Sequence, residues 1–301
     1  MMRQFLWFLL VLASGFFAGS YDGGLAGESR TRQQRQVEEN PPVLRPGEAA
    51  GVRIVPGMWR PHYPYEQIVW ISPPWPSADY IWLDFPEAIF SDQGLLYLSH
   101  VNSDYPPLFP DLPRTPWREI PNGVAFERQL PNGVRFGGRV VKTDDTTVAL
   151  ELHIENGSPR PLTNIRLQTC GYLRAIREFA DFTNDNKFVH LPGQGWQSLR
   201  KSIETRASAG RYAIGFRGIG LPGADLPVIA ALSSLGQRFV TMTWFDDTLS
   251  LTGNYRHPCF HADPGFADLA PGEFASIKGT IIFFEGTLDQ LEARMKASRS
   301  P

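Results

Sequence analysis

The chain has 301 residues, with 29 Lys and Arg against 31 Asp and Glu and a formal net charge of −2. That balance leaves no basic footprint for a nucleic-acid backbone, and the length is ample for a large core. Its 26 Pro and 28 Gly are scattered through the chain, which suits many strands joined by turns and speaks against a single long linker.

Residues 1–20 read as a secretory signal peptide. Met1-Met2-Arg3-Gln4 carries the positive charge, Phe5 to Phe17 is an apolar run too short to span a bilayer, and Ala18-Gly19-Ser20 is small enough for cleavage. A secreted or periplasmic location follows, with no membrane association after cleavage. Residues 21–50 are rich in Gly, Arg, Gln and Glu, and so read as a flexible leader. Residues 51–301 then form one β domain.

The first strands are expected at 66–71 and 79–85, broken by Ser72-Pro73-Pro74-Trp75-Pro76, and at 95–101 with His100 near the end. Residues 102–123 carry six Pro and read as a long loop of the kind that borders binding sites. Leu130-Pro131-Asn132-Gly133-Val134 is a hairpin turn. Thr147 to Glu155 alternates strictly, with Val148, Leu150, Leu152 and Ile154 on one face and Glu151, His153 and Glu155 on the other, read as solvated. The next strand turns Ile165 and Leu167 inward and Arg166, Gln168 and Cys170 outward.

Leu173 to Phe182 reads as a short helix ended by Asn184-Asp185-Asn186. Asp181 and its neighbours lack the Gly and Glu of a calcium loop, so a solvated turn is expected there. Strands follow near 187–191, 211–217, 228–233, 237–245, 248–252 and 274–285. Thr287 and Gln290 match a capping box opening a helix over 288–296, docked by Leu288, Leu291 and Met295. The total is about 12–16 strands and little helix.

The richest stretch is Asn254-Tyr-Arg-His-Pro-Cys-Phe-His-Ala-Asp263. Alternate positions of an extended backbone share a face, so His257, Cys259, His261 and Asp263 point the same way. Three readings stay open. As metal ligands the four offer a full donor set, but neighbours two apart on a strand are separated by ~6.5–7 Å, which works against a shared ion unless Pro258 and Pro264 bend the chain. No cofactor is therefore expected. As an acid/base site, His261 or His257 moves a proton near neutral pH, oriented by Asp263. As structure, Cys259 pairs with Cys170, since an exported chain with two cysteines favours a disulfide. Two free thiols would instead favour the metal.

Two stretches carry a family resemblance. One runs from Val148 through Asn156-Gly157-Ser158-Pro159 to Cys170 and Leu173. The other runs from His257-Pro258-Cys259-Phe260-His261-Ala262-Asp263-Pro264 through Pro271-Gly272-Glu273 to Phe283-Phe284-Glu285-Gly286. Together they resemble secreted bacterial β-sandwich proteins of the galactose-mutarotase-like supersandwich group. The resemblance implies a broad sheet face that handles sugars, as in aldose epimerases, polysaccharide lyase domains and non-catalytic relatives. It also implies a His acid and a Glu base, which find no matching motif positions here.

The reading is an all-β, large antiparallel sandwich with a short C-terminal helix, binding or modifying a carbohydrate by proton transfer. His261 and His257 are the acid/base candidates, Asp263 orients, and Arg166 neutralises developing charge. Gln168, His100, Asn254 and Trp244 complete the substrate-binding set, although Trp244 sits on a strand where a core position is more usual. The alternative is a non-catalytic carbohydrate-binding or structural envelope protein.

Overall fold

The computed structural model describes residues 51–57, 67–100, 102, 104–204, 210–216 and 221–297. The expected signal peptide and leader lie outside these residues. Two nine-stranded sheets pack face to face, with strands numbered in chain order. Across the first run β1 (Ile54–Pro56), β2 (Ile68–Ile71), β3 (Ile81–Ser91), β9 (Arg166–Tyr172), β17 (Cys259–Pro264), β16 (Thr248–Gly253), β12 (Tyr212–Ile214) and β13 (Leu221–Ala224), with β4 (Gly94–Leu98) paired to β3. The second holds β11 (Gly195–Ser198), β10 (Lys187–Leu191), β14 (Val228–Leu232), β15 (Arg238–Thr243) and β18 (Phe274–Glu285), then β8 (Thr147–Glu155), β7 (Arg135–Lys142), β6 (Gly123–Gln129) and β5 (Arg118–Ile120). Neighbours are antiparallel except β12 and β16. The architecture is an all-β sandwich.

Alternation builds the core. Val148, Leu150, Leu152 and Ile154 of β8 are buried in one core cluster with Leu83, Phe85 and Ile89 of β3 and with Phe126 and Phe136. Between β6 and β7, Leu130 N donates to Val134 O at 2.8 Å, and Gly133 takes φ +93°, a conformation that favours glycine. The capping box forms as its spacing predicts: Thr287 N donates to Gln290 Oε1 at 2.9 Å, and Gln290 N to Thr287 Oγ1 at 3.3 Å. It opens α2 (Leu288–Ala297), which buries Leu291 and Met295.

Several expectations need correction. The described residues form 18 strands, because β1, β5, β11 and β13 are too short to show a periodicity. The 173–182 helix is replaced by a single 3₁₀ turn at Arg177–Phe179. There Glu178 accepts hydrogen bonds from Trp75 Nε1 and Ser233 Oγ, both at 2.6 Å, so tertiary partners outweigh local helical preference. A short α1 (Leu199–Glu204) forms elsewhere. His153 is less solvated than expected: its Nε2 lies 2.8 Å from Glu127 Oε1, and its ring stacks on Phe274. Near Asn184 the Asp181 carboxylate closes the turn by accepting from Thr183, Asp185 and Asn186 amides.

Neighbouring residues of β8 should respond very differently to truncation. Leu152→Ala opens a cavity between the sheets and should cost about 2–5 kcal/mol in urea denaturation. Glu151→Ala removes only an exposed pairing with Arg139 and should change stability by less than about 1 kcal/mol. Similar losses for both would refute the assigned faces.

Candidate functional site

Three adjacent strands of the first sheet carry the site on the face turned away from the core. On β9, Leu167, Thr169 and Gly171 point inward, leaving Gln168 and Cys170 outward. On β17, Phe260 and Ala262 enter the core, so Cys259, His261 and Asp263 take the outer face. Register places His261 opposite Cys170 and Cys259 opposite Tyr172. Two stretches of sequence about ninety residues apart therefore share one patch.

The third strand supplies a residue that sequence reasoning missed. β3 pairs with β9 at Asp84↔Cys170 and resumes at Ala88↔Gln168, so β3 carries two extra residues in a bulge. Pro86 lies in that bulge, as befits a residue with no backbone N–H to give to a ladder. Bulges re-aim side chains next to active sites, and this one brings Glu87 over the β17 histidine. Ser99 N holds the bulge by donating to Glu87 O at 2.8 Å. The legible signal was a proline inside a strand-like run, followed at once by a carboxylate.

These groups line a cavity of about 260 Å³, near the lower bound of the ~300–1,000 Å³ usual for small-molecule sites. Glu87, Cys170, Cys259 and His261 lie together on its wall, with His100, His257, Gln168, Asn102 and Asn254 around them. Phe90, Tyr105 and Phe216 contribute rings, and Phe216 meets His261 edge-on at 5.2 Å. No Lys or Arg among the described residues lines this cavity.

The buried groups form a chain of short contacts. Cys259 Sγ is 3.3 Å from His261 Nε2, and His261 Nδ1 is 3.4 Å from Asp263 Oδ1 and 3.9 Å from Glu87 Oε2. Asp263 in turn accepts from Thr169 N at 3.2 Å. A hydrogen bond from the Cys170 thiol is the main influence holding Cys259 well below the usual thiol range, against burial and with help from His261 and His257. The same bond, with burial, pushes Cys170 well above that range. Burial disfavours an imidazolium at His261, but Cys259 and Asp263 outweigh it and hold the ring well above its ordinary pKa. His257 is raised too, chiefly by its hydrogen bond to Cys259. Burial lifts Glu87 to about 7, with His261 opposing and Cys259 and Asp263 adding to the shift.

The structure sorts the residues singled out from sequence. His257, His261, Gln168, His100 and Asn254 converge on the cavity. Asp263 is fully buried beside His261, its Oδ1 3.4 Å from His261 Nδ1. Arg166 shares the face but lies outside the cavity, its Nε donating to Asn164 Oδ1 at 2.7 Å. Trp244 is a correction: it is fully buried on the opposite side of the sheet, stacked on Phe85 with Nε1 donating to Thr169 Oγ1. It lies just past the end of β15, at the entry to a 3₁₀ turn over Phe245–Asp247. The expected Cys170–Cys259 disulfide is also absent, both cysteines being free. They sit diagonally across β9 and β17, with their sulfurs within 4.8 Å of each other.

Carbon-13 detection of the Glu87 carboxyl should give a titration midpoint near 7, above the ordinary 4.5. A midpoint below 5 would mean an ordinary exposed carboxylate and would contradict this geometry.

No protein-family profile and no curated protein matches the chain. Among solved structures, an aldose epimerase homologue from C. elegans aligns with a TM-score of 0.38 at 10% identity, covering 79% of this chain and 100% of that one. A polysaccharide lyase aligns with a TM-score of 0.37 at 11% identity, covering 82% of this chain and 34% of the lyase.

Proposed function

We propose that this is an exported protein whose cavity binds a neutral sugar and moves a proton on it through Glu87. One observation carries the reading: Glu87 Oε2 is buried at the cavity and accepts no hydrogen bond among the described residues. A carboxylate oxygen left without a donor at a ligand cavity is costly unless a ligand or a proton completes it. The surrounding amides of Gln168, Asn102 and Asn254 suit hydroxyl groups, and the rings of Phe90 and Tyr105 suit the apolar face of a pyranose.

Glu87 replaces His261 as the leading proton-transfer group. His261 is only 2% exposed, and its Nε2 lies 3.3 Å from Cys259 Sγ. Glu87 takes the proton from a sugar hydroxyl or carbon, and His100, whose Nδ1 is 3.7 Å from Glu87 Oε1, is placed to return it. His261 and Asp263 position Glu87 from behind. The amides of Gln168, Asn102 and Asn254 in the lining favour isomerisation of a neutral sugar. Elimination at a uronate needs a cation to hold its carboxylate, and Arg166 lies outside the cavity.

Exchange NMR on a panel of neutral aldoses tests this. The wild-type chain should speed interconversion of one of them, and Glu87→Gln should slow it by about 10²–10⁴-fold. Arg166→Ala should leave the rate within a few-fold. Saturation transfer without turnover would replace the enzyme reading with a binding module. Unchanged turnover in Glu87→Gln would refute the role given to Glu87.

A further inference from the structure

Sequence spacing argues against a metal at 257–263 because ligands drawn from one extended strand stand too far apart. The fold changes that arithmetic by bringing in a second strand. Cys170 of β9, together with Cys259 and His261 of β17, places two sulfurs and one ring nitrogen all within 4.8 Å of one another. Tetrahedral zinc, with bonds of about 2.3 Å to sulfur and about 2.0–2.1 Å to nitrogen, sets a sulfur–nitrogen separation of about 3.6 Å. Cys259 Sγ and His261 Nε2 stand 3.3 Å apart. We infer that Cys170, Cys259 and His261 form a three-ligand site for a thiophilic ion of the zinc class, with its fourth position open to the cavity.

Two further features match such a site. A ligating histidine normally gives its other ring N–H to a carboxylate, which fixes the ring and the nitrogen left to bind metal. Here Asp263 Oδ1 is 3.4 Å from His261 Nδ1 and is itself held by Thr169 N, so Nε2 is the nitrogen turned toward the two sulfurs. The donor set is also selective. Two cysteine sulfurs and an imidazole suit zinc or copper(I), whereas calcium and magnesium require oxygen ligands. All three ligands border the cavity, so an ion bound there would have room for water or a ligand hydroxyl, as in zinc sites that keep an open position. The inference does not depend on sugar turnover, because binding is measured without sugar.

The test is titration of the full, reduced chain with cobalt(II) as an optical stand-in for zinc. One equivalent should give thiolate-to-cobalt charge transfer in the near ultraviolet and tetrahedral d–d bands in the visible, both abolished by zinc. Cys170→Ser and Cys259→Ser should remove the charge-transfer intensity in steps. Asp263→Asn should weaken zinc binding by about 10–100-fold. Glu87→Gln should leave zinc affinity within a few-fold even if it abolishes turnover, which separates this site from the sugar assignment. X-ray absorption of the zinc-loaded wild type, which requires no variant to fold, should show two sulfur and one imidazole ligand. A shell of oxygen and nitrogen only, no cobalt charge transfer, or a purified chain in which Cys170 and Cys259 are joined by a disulfide would overturn the inference.

Discussion

The antiparallel pairing of β9 with β17 is the constraint on which the site depends. Because side chains alternate along a strand, that register fixes which residues of two distant stretches share a face. It places Cys170 opposite His261 and leaves Cys259 one diagonal step away. A slip of one residue would carry Cys259 and His261 into the core and bring Phe260 and Ala262 out. The apolar partners of Phe260 and Ala262 between the sheets oppose that slip, so core packing enforces the geometry of the polar cluster.

That cluster is held at a cost to stability. Buried ionisable groups are unfavourable unless each is paired or hydrogen-bonded. Cys259, His261 and Asp263 meet the requirement in sequence, from Cys170 through to Thr169 N. Glu87 meets it only in part: its oxygens lie 3.7 Å from His100 Nδ1 and 3.9 Å from His261 Nδ1, and Oε2 accepts no hydrogen bond among the described residues. A buried carboxylate at a cavity wall with its pKa raised by burial is a mark of a candidate functional site.

Much of the sandwich was legible because alternation is a local signal. The β8 face, the Asn132-Gly133 hairpin and the Thr287 capping box all follow from neighbouring residues and form as read. The shared outward face of Cys259, His261 and Asp263 was legible for the same reason. What could not be read was set by partners remote in sequence. Glu87 reaches the site through a bulge whose only local mark is Pro86, and Cys170 approaches His261 through strand pairing rather than a disulfide. The supposed helix at 173–182 failed for a related reason, since Glu178 is claimed by Trp75 and Ser233. Trp244, named in the substrate-binding set although a core position is more usual there, lies just past the end of β15 and is buried against Phe85.

The order in which the site's strands occur along the chain bears on how the protein is made. Glu87, Cys170 and His261 each lie at least eighty residues from the next, and the strands that carry them are neighbours in one sheet. Contacts of such long sequence separation close large loops before they gain any stabilisation, which slows folding. While β17 is undocked, Cys170 and Cys259 are solvent-reachable thiols with no fixed neighbour, open to pairing with thiols of other molecules. The docking of one six-residue strand thus brings the two cysteines together, buries Cys259 and completes the cavity in the same step.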